Sequence, residues 1–114
     1  MNETELFGPY LLNKEGIDYN VILIGEDVGV YALGNTGKDG IFRIEHVGRA
    51  KKNFTKKLYE YEGIYKEFKF KLFVAEQVAF EFECKVFHQH KPRDTFKHPL
   101  RPAGSRSRCP VCGL

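Results

Sequence analysis

Gly29-Val30-Tyr31-Ala32-Leu33-Gly34-Asn35-Thr36-Gly37-Lys38-Asp39-Gly40-Ile41-Phe42-Arg43-Ile44-Glu45-His46-Val47-Gly48 is the stretch whose reading decides the fold. Two apolar, strand-like runs, residues 28–34 and 41–47, flank the turn-forming Asn35-Thr36-Gly37-Lys38-Asp39-Gly40. That arrangement predicts a β-hairpin, with Tyr31 and His46 at corresponding places on its paired strands.

Working outward, Asn53 is a candidate N-cap for a helix through about Tyr61, closed by Gly63. On that helix Phe54, Leu58 and Tyr61 recur at helical spacing and should face the sheet, while Lys52, Lys56 and Glu60 face water. Residues 67–73 alternate polar and apolar, the signature of a half-buried strand. A long helix is expected from about Ala75 to His90, stopped before Pro92. Upstream, residues 1–27 form a lead-in, with a short extended piece at 7–12 punctuated by Gly8-Pro9 and Gly16. Val21-Ile22-Leu23-Ile24 fits either a strand or a buried connection. Residues 93–114, rich in Pro, Gly, Ser and Arg, should have little regular structure. The expected domain is therefore single and of α/β (α+β) class. Its core, residues 28–92, runs β-β-α-β-α, a three-stranded antiparallel sheet flanked by helices.

Ten Phe supply bulky core residues in a chain of 114 residues that has no Trp. No apolar run approaches a membrane span, and Glu3 and Glu5 with no long apolar region argue against a secretory signal. A cytoplasmic location is the resulting expectation. The formal charge of +3 says little, but its distribution says more. Arg49, Lys51, Lys52, Lys56 and Lys57 follow one another with no acid between them, and Lys91, Arg93, Lys97, Arg101, Arg106 and Arg108 face Asp94 alone. Two basic stretches on a nearly balanced chain fit a phosphate-facing surface as well as a solvated face and a loose tail.

On a wheel of the second helix, Ala79, Phe80, Val86 and Phe87 fall within about 60° of Glu83, and Glu81 points about 160° away. Glu83 thus occupies the middle of the apolar face. An ionised carboxylate there costs several kcal/mol unless a cation meets it. A divalent metal or a Lys or Arg from across the core would serve, and helix geometry by itself favours the ion pair.

Gly29-Val30-Tyr31, His46-Val47-Gly48 and the later Glu83 together resemble the GIY-YIG nuclease family over roughly residues 28–92. The resemblance implies that Glu83 binds a catalytic Mg²⁺ or Mn²⁺ and that Tyr31 helps to activate water or stabilise the phosphate. His46 stands where the second signature Tyr is usual, and Lys57 where the following helix usually presents Arg. Imidazole can still exchange a proton, whereas lysine keeps the charge without the bidentate fork. Arg49 is the nearest guanidinium available to compensate, and Tyr61, one turn beyond Lys57, either reaches the same pocket or packs between helix and sheet.

A second constellation lies behind. Cys84 and His88 share a helix face at i, i+4, and Cys109-Pro110-Val111-Cys112 has the spacing of a zinc knuckle. The four make a Cys₃His set that would tie the tail to the domain through a structural zinc, with His90 and His98 as alternative donors. A redox dithiol and free thiols are the rival readings.

These features predict a metal-dependent endonuclease acting on nucleic acid, DNA first. Arg49, Lys51, Lys52 and Lys56 would guide the backbone, with a protein partner supplying targeting. The alternatives are a GIY-YIG-like nucleic-acid-binding module without catalysis and a zinc-stabilised protein–protein adaptor.

Overall fold

The computed structural model describes residues 6–22, 28–95 and 97–113. The elements run β1 (Phe7–Leu11), α1 (Lys14–Asn20), β2 (Val28–Thr36), β3 (Phe42–Lys51), α2 (Phe54–Tyr59), β4 (Glu67–Phe73) and α3 (Glu76–His90). Four strands, rather than the three expected, form one antiparallel sheet in the order β1-β4-β2-β3 among the described residues. The lead-in supplies the additional strand, which pairs with β4 across a register shift between Phe7 and Tyr10.

The lead-in also supplies a helix that the punctuation by Gly16 conceals. Asn13 caps α1, its side chain accepting from the Gly16 N–H at 2.7 Å, and Ile17 is fully buried beneath. Val21 and Ile22 lie outside regular structure, while Leu23 and Ile24 fall outside the described residues. The expected helix after Asn53 is shorter, Phe54–Tyr59, and Asn53 makes no side-chain cap. The alternating strand is Glu67–Phe73, and the long helix starts one residue later than expected, at Glu76. Residues 97–113 contain no helix or strand.

Strand alternation divides the core into two layers. Tyr31 and Leu33 of β2 pack with Phe54 and Leu58 of α2, Ile17 of α1, and Phe68 and Phe70 of β4. Val28 and Val30 point the other way, joining Val47, Ala79, Phe82 and Val86 under α3. Phe54 and Phe68 are fully buried, each contributing about 1.5–3 kcal/mol by leaving water. Beyond α3 the chain returns along the free edge of β3. There the Asp94 N–H donates to the Glu45 carbonyl at 2.7 Å, and the Val47 N–H to Thr95 Oγ1 at 2.9 Å. No helix among the described residues is long and apolar enough to cross a membrane.

Candidate functional site

Tyr31 lies opposite Gly48 in the β2–β3 ladder, and His46 lies opposite Leu33. The two rings are therefore diagonal neighbours on the α2 face, 6.0 Å apart between centroids at 35°. Gly48 is required for this arrangement: a Cβ there would sit 2.3 Å from the Tyr31 hydroxyl oxygen and 2.4 Å from its Cζ. Gly29 does the same for Phe54, whose ring would meet a Cβ at 2.2 Å. Both glycines thus serve as seats for aromatic rings.

Tyr61 completes the cluster, 5.1 Å from the His46 ring and 6.0 Å from Tyr31. Its hydroxyl is 3.1 Å from His46 Nε2, while Thr95 Oγ1 is 3.2 Å from Nδ1, so both ring nitrogens have a hydroxyl partner. Nearby, the Tyr65 hydroxyl donates to the Asp94 carboxylate at 2.6 Å. Burial pushes the His46 pKa down against the pull of Asp94, and the Lys57 charge adds to the fall, so the ring is neutral near pH 7. Burial first, then Tyr61, Glu83 and Glu60, hold the Tyr31 hydroxyl above the usual phenol range. Tyr31 can therefore donate a hydrogen bond at neutral pH but not act as a phenolate.

Lys57 is close enough to bear on His46, yet its side chain is 41% exposed and its ammonium lies 3.7 Å from Glu60. Glu83 stands on the opposite face of the sheet. Val30 pairs with Arg49, and a directly opposed pair shares a face, so Arg49 points toward α3 with Val30. Arg49 Nη1 donates to Glu83 Oε1 at 2.7 Å, with both side chains nearly buried, and Nη2 donates to the Leu100 carbonyl at 2.7 Å. Glu76 lies 3.5 Å from the same guanidinium, which is also 5.5 Å from the Phe80 ring centroid. Burial pushes the Glu83 carboxyl up to about 7, even with Arg49 holding it down.

The structure therefore gathers Tyr31, His46 and Tyr61, with Lys57 at their margin, and gathers Glu83 with Arg49. It does not bring the four expected residues Tyr31, His46, Lys57 and Glu83 into direct contact. The Glu83 charge still acts on the Tyr31 hydroxyl, helping to hold its proton. The Arg49 side chain is nearly buried and engaged by Glu83 and Leu100, whereas Lys51, Lys52 and Lys56 are exposed. A single carboxylate is enough protein for Mg²⁺, which takes its other ligands from water and phosphate. The cation beside Glu83 in this structure is the Arg49 guanidinium.

The second constellation has a different membership from the one expected. His88, His98, Cys109 and Cys112 offer donor atoms that all lie within 4.8 Å of one another and could hold a metal such as zinc. Cys84 is outside this group. It is fully buried with Cys109 and Phe80, and burial followed by a side-chain hydrogen bond with Cys109 pushes its thiol pKa up, so it stays protonated. Burial would also raise Cys109, but the backbone N–H groups of Cys112 and Val111, with His98 and Cys112 side chains, bring it down to about 6. His98 was only an alternative donor because it stands alone among prolines, with no ligand spacing to mark it. The roles of Thr95, Tyr65 and Asp94 carry no local signal either, since each acts through a long-range contact that no local pattern encodes.

Comparison with protein-family models, with curated proteins and with solved structures finds no match.

Proposed function

We propose that this chain is a metal-dependent phosphodiesterase of GIY-YIG type acting on nucleic acid, with DNA as the first substrate to try. The observation that carries the reading is the Tyr31–His46–Tyr61 cluster on the α2 face. It combines a neutral imidazole, two hydroxyls and a neighbouring lysine on the strands and helix where the signatures fall. A neutral imidazole can accept the proton of an attacking water, and the lysine ammonium can brace phosphate charge. Glu83 would hold Mg²⁺ or Mn²⁺, an ion that polarises phosphate when bound. Lys52 and Lys56 supply exposed positive charge around α2 for backbone contacts, and exposed Lys51, 3.8 Å from Glu76, supplies it on the Glu83 side. The tail donors carry zinc in this reading, as a structural ion.

A second reading, a nucleic-acid-binding module without hydrolysis, is favoured by one observation: Glu83 is paired to Arg49 at 2.7 Å. An assay over single-stranded, duplex and branched DNA and RNA, with Mg²⁺ or Mn²⁺, separates the two. Cleavage lost in both Glu83→Ala and Lys57→Ala supports the nuclease. Salt-sensitive binding without cleavage by any variant supports the binding module, and cleavage indifferent to Glu83 refutes the site.

A further inference from the structure

A short piece of chain joins the tail donors to the acid pair. His98 belongs to the donor group, and Leu100, two residues on, offers the carbonyl that accepts from Arg49 Nη2. Arg49 Nη1 in turn holds Glu83. Phe80 lies under both ends, its ring beneath the Arg49 guanidinium and packed with Cys84 and Cys109. Among the described residues, the backbone–backbone hydrogen bonds of 97–113 are local turns, Ser105 N–H to Pro102 and Gly113 N–H to Cys109. Its fixings to the body are thus the buried side chains, the Arg49 bond and the approach to His88.

The donor group has the marks of a closed zinc site. Zn–S near 2.3 Å and Zn–N near 2.0 Å at a tetrahedral angle put sulfur and nitrogen about 3.5 Å apart. Cys112 Sγ and His98 Nε2 are 3.4 Å apart. His98 Nδ1 is 2.9 Å from the Pro99 carbonyl, and donating there frees Nε2 as the lone-pair nitrogen. His88 Nε2 is buried and has no hydrogen-bond partner among the described residues, an orphaned nitrogen whose lone pair a metal would satisfy.

We propose that zinc bound by His88, His98, Cys109 and Cys112 is the clasp of a strap that keeps the Leu100 carbonyl on Arg49, and thereby Arg49 on Glu83; this rests on the zinc reading above. Metal binding that requires the folded tail contributes its free energy to that tail. Without it the strap opens, Arg49 loses its Leu100 acceptor, and water reaches the guanidinium. Metal supply at one site thus governs access to an acid on a different part of α3.

The test uses the full chain. Zinc content is measured on wild type and on Cys112→Ser, an exposed position, with circular dichroism as a check on folding. Phenylglyoxal modification of Arg49 is then followed by mass spectrometry against exposed Arg43 as internal reference. We expect about one zinc per wild-type chain. Chelation should speed Arg49 modification roughly tenfold relative to Arg43, as local opening becomes easier, and added zinc should reverse it. Cys112→Ser should behave as the chelated protein; should it fail to fold, the chelation and re-addition cycle on wild type decides alone. A chain that neither retains nor takes up zinc ends the zinc reading. Bound zinc whose removal leaves Arg49 protection unchanged overturns the strap and leaves the zinc site standing.

Discussion

Replacing Gly48 by alanine tests the central packing claim, that this glycine exists to seat Tyr31. The new Cβ would lie 2.3 Å from the Tyr31 hydroxyl oxygen, 2.4 Å from Cζ and 2.9 Å from Cε2. Ordinary carbon contacts are about 3.5–4.0 Å, so the ring must retreat by more than about 1 Å. Tyr31 is only 3% exposed and is hemmed in by Phe54, Tyr61 and His46. Overpacking of this kind costs about 1–3 kcal/mol, from which about 0.5–1 kcal/mol returns because alanine suits a strand better than glycine. The net loss should be up to about 2.5 kcal/mol, or a fall in Tm of up to about 10 °C for a chain of this length. Urea unfolding followed by circular dichroism measures it. The decisive comparison is the same substitution in a Tyr31→Val background, where the ring atoms are gone and only the strand preference remains. There Gly48→Ala should be neutral or stabilising. An equal cost in both backgrounds would refute the ring-seat explanation.

Further expectations concern charge and anchoring. Because burial raises the folded Glu83 pKa to about 7 from an ordinary 4.5, its contribution to stability is present below about pH 4.5 and lost as pH rises through about 7. Relative to Glu83→Gln, wild type should therefore lose about 3 kcal/mol across that window, an order-of-magnitude figure read from denaturation midpoints at several pH values; parallel curves would refute it. Tyr65→Phe removes the 2.6 Å bond to Asp94 and should cost about 1–2 kcal/mol, with faster hydrogen exchange at the Asp94 amide; an unchanged exchange rate would count against the anchor. Replacing Lys51, Lys52 and Lys56 together with glutamine should weaken nucleic-acid binding and flatten its salt dependence while leaving Tm within a few degrees, whereas an unaltered slope would remove these lysines from the interface.

What could be read in advance follows from the range over which each pattern acts. Strand Glu67–Phe73 and helix Glu76–His90 carry their periodicity in consecutive side chains, and their bounds were legible to within a residue. Helix α1 was not, because seven residues are too few for a periodic signal and its start depends on a cap from Asn13 to Gly16. The buried position of Glu83 followed from the wheel, and so did its need for a cation. That the cation is Arg49 required knowing that Arg49 sits opposite Val30, which depends on strand register. The wheel also set Cys84 and His88 on one flank, but it is blind to depth. Cys84 faces inward against Phe80, and a histidine fourteen residues before Cys112 comes to the donors in its stead.

Each outer strand of the sheet offers a row of backbone groups to which a stranger could attach, and here both rows are interrupted. At β1, Pro9 has no N–H to give and the ladder slips between Phe7 and Tyr10, so a flat continuation is blocked. At β3, Asp94 and Thr95 occupy the Glu45 carbonyl and the Val47 N–H. The residues that steady His46 therefore also act as a guard rail against edge-to-edge polymerisation. A chain cut after Pro92 should keep its core yet become sticky at β3, gaining thioflavin-positive assemblies with time, while the full chain stays clear at the same concentration.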